Sequence, residues 1–143
     1  MKREKIAEME AAIAADYNNI AGMVVRKDGK TVYENYFGGC TAESRIHIFS
    51  VTEGIVSILF GIALDKGYLD SIDRKVLEFY PEYTVKRGEK TIQHITIRDM
   101  LTMTAPYKYK STPYTKYFTS PDWVKFSLDM LGGKGQPGVF RYA

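Results

Sequence analysis

Apolar positions recur at helical spacing in the first stretch of the chain. Ile6, Met9 and Ile13 fall three and four residues apart, with Lys2, Arg3, Glu4, Lys5 and Glu8 elsewhere on the wheel. This predicts an amphipathic helix over residues 2–15. The period then changes. Residues 20–39 carry two runs rich in β-branched and aromatic residues around Asp28-Gly29, a pair suited to a two-residue type I′ turn. They predict a β-hairpin closed by Gly38-Gly39. Residues 40–49 connect it to SVTEGIVSILFGIALDKG, which starts at Ser50. Its length, its apolar content and the Lys66-Gly67 stop predict a largely buried helix. Gly54 and Gly61 share one of its faces, where close packing is expected.

Further along, residues 73–80 read as a short helix ending before Pro81, and residues 82–95 as a polar stretch with Lys86, Arg87 and Lys90. Thr96 to Met103 read as a helix opened by a capping box from Thr96 to Asp99. Residues 105–119 form a long aromatic and basic loop. Ser120 is the expected N-cap of a last helix, with Pro121 at its first position and Gly132-Gly133 at its end. Trp123 is expected in the core or at a subdomain interface.

The order is a helix, a hairpin and then several helices, an α+β arrangement. A lone hairpin is marginal and leaves both edges open. It therefore calls for a partner: a homo-oligomer, another chain, or more of the same polypeptide. The length of 143 residues suits one domain, and 45% hydrophobic with 26% charged residues excludes a disordered chain. A net charge of +3 is too small for bulk-charge binding of nucleic acid. The single Cys40 excludes an intrachain disulfide, and His47 and His94 lack clustered acids, so no metal is expected. No phosphate-binding loop is present, and no cofactor is expected. Residues 54–64 form the longest apolar run, short of the ~20 residues that span a bilayer. The N-terminus lacks the apolar centre of a signal peptide. A soluble, cytoplasmic chain is the expectation, extracytoplasmic if a leader was removed.

Candidate chemistry centres on Ser50-Val51-Thr52-Glu53. Locally this is a capping box, the Ser oxygen meeting the backbone N–H three residues on and the Glu reaching back. The second reading rests on order. The block from IFSVTEG to FYPEY, then ITIRDMLTMTAP, then PDWVKFSLDM and PGVFRYA, resembles the serine β-lactamase and penicillin-binding-protein superfamily. The likeness is to its class C β-lactamase, D-alanyl-D-alanine carboxypeptidase and family VIII esterase branch, and it covers roughly residues 22–143. It implies Ser50 as nucleophile and Tyr142 as the tyrosine of the Tyr-x-Asn motif. Glu53 stands where that superfamily has the lysine of Ser-x-x-Lys. The chain ends before the Asn of the second motif and before the third motif, so the resemblance implies the N-terminal part of the fold without its C-terminal strands. Residues 1–39 would be the helix and hairpin of the α/β part, and 40–143 the active-site helix and helical subdomain.

The resemblance implies attack by Ser50 on an ester, a β-lactam or a D-Ala peptide, and hence a small-molecule or peptidoglycan-like acyl substrate. A serine hydroxyl needs a base within reach, and residue 53 shares its helix face. A carboxylate there is a weak base toward an alcohol and repels a developing oxyanion. An impaired enzyme, or a non-catalytic binding or self-associating relative, is therefore expected. Tyr107, Tyr109 and Tyr114 would shape the acyl cleft on this reading. The same aromatics could instead pack on the helices, or stack bases with Lys108, Lys110 and Lys116 between them.

Overall fold

The computed structural model describes residues 3–142, so Lys2 of the first expected helix lies outside them. The chain divides into two compact units, one ending at Phe49 and the other beginning at Ser50.

The first unit holds helix α1 (Arg3–Asp16) and the antiparallel pair β1 (Gly22–Lys27) and β2 (Lys30–Tyr36). Asp28 and Gly29 both have positive φ, 49° and 75°, as a type I′ turn requires. The register slips between Val25 and Arg26, a local irregularity in the ladder. Ile13 is the buried anchor of α1. A single carboxylate oxygen of Glu10 accepts from Tyr33 Oη and from Asn35 Nδ2, both at 2.8 Å, and so fastens α1 to β2.

The second unit opens with α2 (Val51–Asp65) and continues through two 3-10 turns, Val76–Phe79 and Thr91–His94. Three short helices follow: α3 (Ile97–Leu101), α4 (Tyr114–Phe118) and α5 (Trp123–Met130). The expected helix over 73–80 is thus one 3-10 turn. The long loop contains α4. The last helix starts two residues late: the Asp122 carboxylate accepts from Lys125 N, while Ser120 Oγ accepts from Asp122 N. The Thr96–Asp99 capping box forms as expected. Among the described residues no helix is long and apolar enough to cross a membrane.

Helix α2 departs most from expectation. Its C-terminus closes as a Schellman motif, with Tyr68 N donating to Ala63 O and Gly67 N to Leu64 O. Yet none of its residues is buried, and Val51, Ile58 and Leu59 are 64%, 65% and 56% exposed. The reason is geometric. Val56, Phe60 and Ala63 line a groove of about 730 Å³ with Leu69, Val76, Ile97 and Met100, and among the described residues of this unit no element covers the other sides. Among the described residues nothing lies within 4 Å of where a Cβ on Gly54 or Gly61 would sit, so they do not supply the close packing expected there.

The core of this unit lies elsewhere, at Ile92, Ile95, Ala105, Leu128 and Leu131. Glu89 holds its segments together. One carboxylate oxygen accepts from Thr91 N and Ile92 N at 2.8 and 3.2 Å, and the other from Gly133 N at 2.9 Å. Gly132, with φ of 93°, packs so tightly on this carboxylate that a Cβ would come within 2.6 Å of it. Any side chain there collides with the clamp and strains the backbone. Gly132-Gly133 is therefore more than a helix stop.

Burial opposes ionisation of Glu89, but the N–H groups of Ile92, Gly133 and Thr91, with Lys108 nearby, outweigh it and hold the pKa below the usual carboxylate range. A depressed carboxylate stabilises the fold above its unfolded-state pKa and loses that effect as pH falls through the folded value. Glu89→Gln is expected to lower stability at neutral pH by roughly 1.5–3 kcal/mol, the range for hydrogen bonds to a charged group. In urea unfolding the gap between the two chains should close in acid; equal midpoints at neutral pH would refute the clamp. Tyr83 gives a second check. Burial, and the hydrogen bond it donates to Asp129 at 2.8 Å, push its hydroxyl up to about 12. In a phenolate absorbance titration, Tyr83→Phe should remove a step at the alkaline end and leave the earlier steps in place.

Candidate active site

Ser50 precedes the first turn of α2 with helical backbone angles, φ −73° and ψ 0°, and its side chain makes no capping bond. The expected capping box with Glu53 does not form, because Glu53 N donates to the carbonyl of Ser50 instead. The hydroxyl is left for another partner. Ser50 Oγ lies in hydrogen-bond contact with Tyr142 Oη, and either can donate. The residue before it, Phe49, has φ of 45°. A bulky side chain in the left-handed region is strained, and such strain collects at functional sites.

Residue 142 is far from residue 50 in sequence, and backbone hydrogen bonds bring it back. Lys108 N donates to Met130 O and Gly132 N to Pro106 O, setting the chain around Leu131 beside Tyr107. Farther on, Gly138 N donates to Thr104 O and Arg141 N to Met103 O, the latter at 2.8 Å. Met103 also has positive φ, 55°, which turns the chain where this contact forms.

Glu53, Tyr107, Tyr109, Tyr114 and Tyr142 all line one cavity of about 300 Å³. Burial raises the pKa of Tyr107. The aromatic loop thus folds into a cavity wall, and Lys108 is held against Asp129 O at 3.1 Å rather than free to track a phosphate chain. Lys110, a nucleic-acid candidate in the sequence, and Arg141, which the sequence did not mark, also line the cavity. Arg141 stands in the same Phe-Arg-Tyr block as Tyr142, the one signal that could have found it. Tyr117 also faces the cavity and stacks on Trp123, ring centroids 5.7 Å apart. Trp123 is 52% exposed, so it braces the loop and is not a core residue. His47 Nδ1 accepts from Phe49 N within the first unit.

A serine hydroxyl paired with a phenol, beside an aromatic cavity, can pass a proton and open toward an acyl carbon. Glu53 supplies negative charge where such chemistry ordinarily wants a cation or a neutral amine. Lys110 and Arg141 supply the cavity's positive charge from other segments, and neither is ion-paired with Glu53 among the described residues.

The Beta-lactamase family model matches residues 9–136, a span that includes Ser50, Glu53 and the three cavity tyrosines of the loop but stops before Tyr142. A search of curated proteins returned no match. The family match covers most of the 143 residues. On that match, the chain belongs to the beta-lactamase family.

Proposed function

We propose that this chain carries a serine acyl-transfer site at Ser50, with Tyr142 as its proton partner, and that Glu53 holds the site at low activity. The observation that carries this reading is the contact between Ser50 Oγ and Tyr142 Oη beside the Glu53-lined cavity. In the forward step Ser50 Oγ bonds to the carbonyl carbon of an ester, β-lactam or D-Ala peptide. Its proton passes to Tyr142 and on to the leaving group, and water then releases the acyl group. The N–H of Ser50 is one donor to the oxyanion. The Glu53 carboxylate works against both halves of the step. It is a weak base toward an alcohol and it repels the charge that gathers on the oxyanion.

Glu53→Lys is expected to raise hydrolysis of a p-nitrophenyl ester or a penicillin by about a hundredfold or more, on the scale of one lost electrostatic contact. Ser50→Ala in the same background should abolish the gain. An unchanged rate in the lysine variant would sink the proposal.

A second reading, self-association, draws on the exposed apolar side of α2 and on Val24 and Val32 of the open hairpin, 52% and 45% exposed. Uncovered strand edges and apolar faces are the surfaces that copies of a chain use to pair. Sedimentation across a concentration series should show a reversible rise in mass. A single monomeric species throughout would contradict this reading.

A further inference from the structure

The cavity beside Ser50 combines three features on separate segments. Glu53 brings one negative charge from α2. Lys110 brings a positive charge from the loop, and Arg141 another from the C-terminal segment. The rings of Tyr107, Tyr109, Tyr114 and Tyr117 line the same cavity. None of the three charged groups takes part in an ion pair among the described residues. Unpaired charges of opposite sign on one cavity wall make a site in search of counter-charges.

Each simple class of ligand uses only part of this wall. A neutral ester leaves all three charges without a counter-charge. A monoanion meets Lys110 and Arg141 but is opposed by Glu53. An organic cation suits Glu53 and the ring faces, but is opposed by the two basic groups. A ligand with a positive and a negative end satisfies the whole set, and the half-buried rings of Tyr107 and Tyr117 offer it apolar contact. The volume of about 300 Å³ lies at the small end of ligand pockets.

We infer that this cavity binds a small zwitterion, an amino acid or short peptide with a free amine and a free carboxylate. Its ammonium lies against Glu53, its carboxylate against Arg141 and Lys110, and its apolar side chain against the tyrosines. This rests on the reading of the cavity as the ligand site. It does not require turnover at Ser50, so Glu53 becomes a recognition residue as well as a brake on acylation.

The test is calorimetric titration of the Ser50→Ala chain, which cannot be acylated there, with alanyl-phenylalanine in its L,L and D,D forms. The N-acetyl and C-terminal amide derivatives serve as capped controls. At least one free dipeptide should bind about tenfold more tightly than both its capped forms, a difference of 1.4 kcal/mol. Glu53→Gln should erase the preference for the free amine. Lys110→Gln with Arg141→Gln should erase the preference for the free carboxylate. Added salt should weaken the free dipeptide more than the capped ones, a check that needs no cavity variant. Equal affinity for free and capped forms, no binding of any form at millimolar concentration, or preferences that survive the substitutions would overturn the inference. These outcomes are independent of whether Glu53→Lys restores hydrolysis, so the two readings can fail separately.

Discussion

The second unit depends on one carboxylate. Glu89 accepts hydrogen bonds from backbone groups of two distant segments, the turn at Thr91–Ile92 and the glycine pair at 132–133. Its own burial works against it, and a lone buried charge would be costly. Three N–H donors and nearby Lys108 make the charged form the favoured one. This fixes the chain around Leu131 against the segment of Tyr107, with Leu131 among the most fully buried side chains. From that anchor the C-terminal segment runs back along Met103 and Thr104 and delivers Tyr142 to Ser50. The contact at the candidate site is therefore a remote product of packing around the clamp.

Glu53 gives the site its character. A nucleophilic serine at a helix head is aided by a neighbouring cation or amine, and here the neighbour is an acid. The cavity's cations, Lys110 and Arg141, come from other segments. On the proposed reading, this arrangement separates proton handling from charge recognition. The Ser50–Tyr142 pair would carry the first, and the charged groups of the cavity wall the second. An apolar α2 that stays uncovered on most sides fits a helix whose composition asks for more contacts than its own unit supplies.

Local chemistry in the sequence reached the hairpin turn, the Thr96 cap and the ends of α2, because each is decided by a few adjacent residues. The order of motifs pointed to Ser50 and Tyr142, whose hydroxyls the structure brings into contact. What it missed was decided at long range. Nothing near Glu89 announces that its partners lie at Gly133, since a clamp between distant segments leaves no periodic trace. Ser50 was read locally as a cap, but its own carbonyl takes the N–H that its hydroxyl would have held. Burial of α2 was read from its apolar content, whereas burial also depends on what lies opposite. Arg141 lies in an irregular segment without periodicity, and only its place beside Tyr142 in the Phe-Arg-Tyr block marks it.

The central claim is that the Glu53 carboxylate restrains Ser50 and does not activate it. Intact-mass labelling by a fluorophosphonate, followed over time for the wild-type chain and Glu53→Gln, tests this most directly, with Ser50→Ala as the site control. Removing the charge while keeping the shape should speed formation of a single adduct that is absent in the control. Slower labelling of Glu53→Gln than of wild type would contradict the account and make Glu53 the base for Ser50.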